Sequence, residues 1–421
     1  MHIHGKSQLA QALQSLSKVP KDHEGRIGWD SSALEQGTFE LIYNLTFKPP
    51  VVDYDKDGAI WHALNECARA KDFSTKSFIQ KLQSYLEGLL SKQPRSFVAV
   101  AQINAQTGAR LPGKIMSVDG PVEIRRTLPP TCLKVINDLE AYERSRLNLQ
   151  DDFVYLMVKV KSRGERSAVD GAYRTMKYAL GVLNLATRGY GVSKRFGFPN
   201  APIGTFLSAS PVFIVDTAAG KLGNWQSESH YPTRWKRNFS VWQTQETEMI
   251  TKFAKHVASD LPRIDFGERL VQSVLLFQEG LETGHVDVAL LKFWTGIEVL
   301  CAREEREPTE RVVERANSIF DDYRHAAMRL KFIQEFRNRV VHRGEAGDHA
   351  LLCAQYGSLY LAALIRFFLW NIYKLRKRDT ILDFLSLPLD AQKLESSITL
   401  NRTRLAALKR MTARTAAQEA L

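Results

Sequence analysis

Cysteine is scarce in this chain: Cys67, Cys132, Cys301 and Cys353 are scattered over 421 residues, and no C-x-x-C pair occurs. That argues against a zinc ribbon or a disulfide framework and suits a reducing compartment. The opening "MHIHGKSQLAQALQSL" lacks the apolar core of a signal peptide. The most hydrophobic run, "LYLAALIRFFLWNIYKL", carries Arg366 in its middle and reads as too short and interrupted to span a bilayer. A cytoplasmic protein without membrane contact is the expectation. Gly189, Gly191, Gly197 and Gly204 form no strand–GxGxxG–helix unit, and no Walker-type loop is present, so no dinucleotide or P-loop site is expected. His2 and His4 lack matching ligands, so no metal is assigned and no cofactor is expected.

What is present is ordinary globular composition, 44% hydrophobic and 25% charged. The length suggests two domains, with room for a third. A net charge of +12 and a sequence pI of about 9.4 favour polyanionic partners, because Lys and Arg neutralise phosphates and release counterions. Charge alone does not separate RNA from DNA or a membrane surface.

The first part of the chain mixes strand and helix signals. "DYDKDGAIWHALNECARAKDF" and "STKSFIQKLQSYLEGLLSK" have helical spacing, the second with Ser74 or Thr75 available as a cap. "RSFVAVAQINA" and "DDFVYLMVKVKS" are rich in β-branched and aromatic residues and read as strands. "SAVDGAYRTMKYALGVLNLA" is helical again. The Gly- and Pro-dotted region up to Trp225 reads as short strands joined by loops. "FSVWQTQETEMITKFAKHVASDL" is helical, and Pro262 marks a boundary.

Beyond Arg263 strand signals largely vanish. "DFGERLVQSVLLFQEGLE", "VDVALLKFWTGIEVLCARE", "RLKFIQEFRNRVVH" and "HALLCAQYGSLYLAALIRFFLWNIYKLR" carry apolar stripes, with a shorter "PTERVVERANSIF" opened by Pro308. The fold class expected is α+β. Residues 1–262 form a mixed α/β recognition or sensor domain, 263–390 an all-α antiparallel helical bundle, and 391–421 a basic helix or tail.

One stretch of the third bundle helix is anomalous. A step of about 100° per residue places Leu330, Ile333, Phe336, Val340 and Val341 along one arc, and Arg337 falls inside it. A guanidinium placed among apolar side chains needs an anionic partner. Glu298 projects from the stripe of Leu291, Trp294, Ile297 and Cys301 on the second helix, so the two charges are expected to pair. Asn338 and His342 are one i,i+4 step apart, which lets Asn338 brace the imidazole. Gly344 is expected to end the helix and leave His342 in its last turn. A structural salt bridge with an ordinary surface histidine is the competing reading. Residues five apart also point about 140° away from each other on an ideal helix. Either the helix loosens before Gly344, or Arg337 reaches around its axis.

"RNRVVH" resembles the R-N-x-x-x-H motif of HEPN domains, and "ALLKFWTGIEVLCA" resembles the second helix of the Apea-like HEPN group. The resemblance spans roughly residues 265–376. It implies a HEPN-type bundle that acts as a metal-independent endoribonuclease and homodimer, motif copies from both subunits meeting in one cleft. It further implies a role in prokaryotic antiviral defence or toxin-like growth arrest. A phage-derived or nucleotide trigger would act at the N-terminal domain.

The side chains suit that chemistry. RNA carries its own nucleophile, the 2′-hydroxyl. An imidazole can take that proton or protonate the departing 5′-oxygen, and a guanidinium can stabilise the five-coordinate phosphorus. His342 is therefore assigned as general acid/base and Arg337 as the phosphate clamp. Asn338 orients the histidine or the phosphate, and Glu298 holds Arg337. Arg339, inside the motif, and Arg343, just after it, are candidate RNA contacts.

Two other patches leave alternatives open. In "YPTRWKRNFSVW", Arg234, Lys236 and Arg237 alternate with Tyr231, Trp235, Phe239 and Trp242, as an RNA grip or as a solvated rim over core aromatics. Lys159, Lys161, Arg163 and Arg166 either line an RNA path or guard a strand edge with charge. The "KLRKR" run suits a helix C-terminus. A non-catalytic RNA- or nucleotide-binding scaffold or antitoxin is the main rival reading. A DNA-binding regulator is the second, without any helix-turn-helix signature.

Overall fold

The computed structural model describes residues 2–3, 6–18, 20–23, 26–29, 41, 45–46, 53–117, 119–187, 202–226, 241, 247–304, 307–343, 349–371 and 373–419. Among them a region of β-sheet with helices precedes a long all-helical region. The chain divides into two compact units: residues 1–179 with 208–245, and residues 180–207 with 246–421.

In the first unit three helices, α1 (Lys6–Leu16), α2 (Asp53–Ala70) and α3 (Thr75–Ser91), bury one apolar stripe each. Leu9, Leu13, Ile60, Leu64, Phe78 and Leu82 form their shared core. The start of α3 follows from its cap: the Ser74 hydroxyl accepts a hydrogen bond from Ser77 N, satisfying a first-turn amide.

The sheet is built from β1 (Arg95–Gln106), β2 (Lys114–Ser117), β3 (Gly120–Arg125), β4 (Phe153–Ser162), β5 (Val212–Asp216) and β6 (Lys221–Gln226). Their order is β6-β5-β1-β4-β3-β2, and every pairing is antiparallel. Val100, Met157, Phe213 and Val215 share one face and one core with Cys132, Val135 and Ile136 of α4 (Pro130–Asn137) and Leu147 of α5 (Ala141–Leu147). A longer helix, α6 (Glu165–Thr187), begins in the first unit and ends in the second.

The second unit adds α7 (Thr247–Asp260), α8 (Gly267–Glu282), α9 (Val286–Cys301), α10 (Thr309–Asn317), α11 (Tyr323–Arg343), α12 (Ala350–Trp370), α13 (Arg378–Leu385) and α14 (Ala391–Glu419). Lys292 pairs with Glu279 while Ser273 reaches the Gly296 carbonyl, so α8 and α9 run antiparallel. Arg329 lies over Tyr356 and Phe336 beside His349, so α11 and α12 do the same. Phe293 and Gly296 of α9 pack against Gly357 and Leu361 of α12 in the same sense. The four long helices therefore alternate in direction along the chain.

α12 is the apolar run that carries Arg366. At 21 residues it is long and apolar enough to cross a membrane by length and composition, rather than too short, yet 67% of its most apolar window is buried inside the protein. Arg366 is accommodated by donating to the Leu185 carbonyl and lying 5.9 Å from the Phe253 ring centre.

A buried amide network ties the end of α6 to α8. Asn184 donates to Phe206 O and Gln278 Oε1, and its own oxygen accepts from Thr205 N and Phe206 N. Gln278 also donates to Phe206 O. Each amide atom has a partner, the condition under which burying such groups does not destabilise.

Candidate functional site

The candidate site is assembled from α9 and α11. Leu330, Ile333, Phe336 and Val340 of α11 are buried, as the helical step demands, whereas Val341 is 50% exposed. The reason is angular: Val340 falls within about 20° of Ile333, while Val341 lies about 80° away. Arg337 is offset by about 40° from Ile333, inside the arc that Leu330 and Phe336 bound, yet its side chain remains 30% exposed.

On α9, Trp294, Ile297 and Cys301 are buried and Leu291 is half-buried. Glu298 stands beside them at 29% side-chain exposure. Its Oε1 accepts a 2.6 Å hydrogen bond from Trp294 Nε1 and lies 3.8 Å from Arg337 Nη2. The indole one turn earlier thus fixes the carboxylate, and the carboxylate faces the guanidinium at a long ion-pair distance. The sequence pattern points to the pair but not to the tryptophan that holds it.

Asn338 turns to its neighbour: its Oδ1 accepts from Arg337 Nη1 at 3.1 Å. No hydrogen bond between Asn338 and His342 is found among the described residues. His342 is exposed near the end of α11, which stays helical through Arg343 and does not loosen before that point. Gly344 lies outside the described residues. Arg339 is exposed and its guanidinium carbon lies 3.8 Å from the Phe336 ring centre, a cation–π contact. The Arg343 side chain lies outside the described residues.

Sequence reading passed over His349, an exposed imidazole just before α12. Its ring centre is 6.4 Å from that of Phe336 and 6.5 Å from that of Phe332. The "GDHALL" context carries no periodic signal that would single it out. It also passed over Arg315, which is 5% exposed. Arg315 donates to both oxygens of Glu307, to the Cys301 carbonyl and to Ser386 Oγ, and so joins α10 to the end of α9 and to α13.

The remaining basic candidates belong to the first unit or to undescribed segments. Lys159 and Lys161 are exposed on β4, opposite Val98 and Ser96 of β1. Among the described residues β3 pairs with β4 only from Tyr155 to Val158, so both lysines lie beyond that pairing. Arg163 is exposed and donates from Nε to the Lys92 carbonyl at 3.1 Å. Arg234, Lys236 and Arg237 lie outside the described residues.

Chemically, the α9–α11 pair presents a guanidinium held on two sides and still open to solvent, a few residues before an exposed imidazole. Such a guanidinium can receive a phosphate without first being ordered. Comparison of the chain with protein-family models, curated proteins and solved structures found no match.

Proposed function

We propose that this chain is a metal-independent endoribonuclease of the HEPN type. The observation that carries the reading is Arg337, half-buried between the Glu298 carboxylate and the Asn338 carboxamide, on a helix whose last turn displays His342. The R-N-x-x-x-H spelling and the all-helical setting support it.

In this reaction the 2′-hydroxyl oxygen attacks the adjacent phosphorus while a base removes its proton. The phosphorus becomes five-coordinate, the bond to the 5′-oxygen breaks, and an acid protonates that oxygen. The products are a 2′,3′-cyclic phosphate and a 5′-hydroxyl. One cut needs both a base and an acid, and two copies of His342 brought together in a homodimer supply them. Arg337 stabilises the charge that builds on the non-bridging oxygens. Glu298 positions Arg337 through the contact that Trp294 fixes. The biological setting consistent with this chemistry is antiviral defence or toxin-like growth arrest in a prokaryote.

Incubation of the purified protein with labelled RNA and DNA in EDTA tests the proposal. RNA is expected to be cut and DNA to resist, because DNA lacks the internal nucleophile. Arg337→Ala and His342→Ala are each expected to lower the rate by about 100-fold or more. Unchanged cleavage by the His342→Ala protein, or a strict magnesium requirement, would overturn the assignment.

A second reading is favoured by a specific observation. The Asn338 oxygen is given to Arg337, and among the described residues nothing is seen to orient the His342 imidazole. That arrangement suits a non-catalytic RNA- or nucleotide-binding scaffold. It predicts RNA binding that depends on Arg337, with no cleavage by the wild-type dimer.

A further inference from the structure

α14 stands apart from the bundle that precedes it. From Ala391 to Ala406 every side chain is exposed except those of Leu394 and Ser397, which are half-buried. Its 29 residues span about 43 Å at about 1.5 Å per residue. A helix that long, with so little of its surface covered from Ala391 to Ala406, does not owe that stretch to the core of its own unit.

The helix is not uniformly polar. Leu400, 70% exposed, lies off the line on which half-buried Leu394 and exposed Ile398, Leu405 and Leu408 follow one another. Their steps are four, seven and three residues, and Asn401 falls in the gap. That is a strict 3.5-residue repeat, two positions in every seven, which defines the narrow stripe along which coiled-coil helices meet. Ile398 is 42% exposed and Leu405 54%. A helix that lies in a membrane interface needs a broader apolar face than this. A fully solvated tail would gain nothing from keeping the repeat.

The flanks of the stripe identify the occupant. The positions that border it carry Glu395, Ser397, Arg402, Arg404 and Lys409, three cations against one carboxylate. In a parallel pair of two copies, Arg404 would face Lys409. In an antiparallel pair, Arg402 and Arg404 would each face its own copy, while Glu395 would face Lys409. Like charges across such a border select against a parallel self-pair, and an antiparallel one gains nothing net from its flank charges. Carboxylates on a partner would complement all three cations and meet one like charge, at Glu395. Asn401 in the stripe must find a hydrogen-bonding group across it, which would also set the register.

We propose that α14 docks an acidic amphipathic helix of a partner protein in a two-stranded coiled coil. This inference is independent of the nuclease reading. The test uses the full-length chain and a synthetic peptide with Leu and Ile at the stripe positions and Glu at the flanks. A control peptide of the same composition has its stripe scrambled.

The chain is expected to bind the first peptide with a gain of helical circular dichroism, and the scrambled peptide at least about tenfold more weakly. The Ile398→Glu/Leu405→Glu chain, with unchanged thermal unfolding of its body, is expected to bind neither. An Arg402→Glu/Arg404→Glu chain is expected to reverse its preference and take a Lys-flanked peptide. Equal binding of the scrambled peptide would overturn the proposal. So would wild-type self-association that Ile398→Glu abolishes, because the occupant would then be a second copy. Binding of RNA or of anionic phospholipid vesicles through the same stripe, with no peptide bound, would overturn it as well.

Discussion

Glu307 and Arg315 meet through two hydrogen bonds, Arg315 Nη1 and Nη2 each 2.7 Å from a different carboxylate oxygen. Their side chains are only 14% and 7% exposed. Removing one partner strands the other charge away from water, so Arg315→Met is expected to cost about 3–5 kcal/mol. Replacing both by apolar residues is expected to cost clearly less. Thermal unfolding of the single and double variants, followed by circular dichroism, checks this. Equal melting of all three proteins would contradict it.

The same pair sets an acid limit. Hydrogen bonding from Arg315 holds the Glu307 carboxyl below the usual carboxylate range. Its contribution is therefore full above the unfolded carboxylate pKa of about 4.3, and is lost as pH falls through the lower folded value. The Glu307→Gln protein is expected to be less stable at neutral pH and to lose less than wild type on acidification. Stability against urea at a series of pH values would show parallel curves if the pair carried no such linkage.

All four cysteines are buried and free. Burial pushes the Cys301 thiol up to about 12 and the Cys353 thiol up to about 11, with Cys67 and Cys132 raised for the same cause. The thiolate is the reactive form, so a thiol reagent at pH 8 is expected to label almost none of them in the native protein and all four in denaturant. Rapid native labelling of Cys301 would contradict the packing of α9.

Two glycines in helices should respond to alanine with opposite sign. A Cβ on Gly280 would lie 2.5 Å from Cε1 of Phe293, a rigid and fully buried ring. Overpacking there is expected to cost about 1–3 kcal/mol, more than the gain of about 1 kcal/mol in helix propensity. Gly88 is exposed near the end of α3 with open space around it. Gly88→Ala is expected to stabilise by about 0.5–1 kcal/mol. Differential melting of the two variants checks both signs.

The sequence made the long elements legible because each repeats its apolar signal several times. β1 and β4, α2, α3 and the four long bundle helices arise where periodicity places them, except that α12 ends at Trp370 rather than running on to Arg376. The 11-residue α1 escaped notice as a helix, and so did elements of four to eight residues: β2, β3, α4, α5 and α13 are too short for a period to emerge. The pairing of Glu298 with Arg337 could be inferred because each charge interrupts an apolar stripe. Glu307 lies just ahead of α10 rather than on a stripe, so no pattern announced Arg315. Nor could spacing foretell that Asn338 would serve Arg337, since neighbouring residues on a helix meet only when long side chains fold back. Trp294 read as core and proved to be both core and donor, one side chain with two roles.

The Asn184 network bears on how this protein can be cut into pieces. Residues 180–207 belong with the helices that come long after them in the chain. A gene trimmed to begin at position 263 would retain α8 through α14 and discard Asn184, Thr205 and Phe206. Gln278 would then lose its buried companions, and the surface of α8 that Gly181 and Gly204 approach closely would be opened to water. Such a fragment would be expected to aggregate, and the silence of an insoluble fragment in a nuclease assay would say nothing about its chemistry.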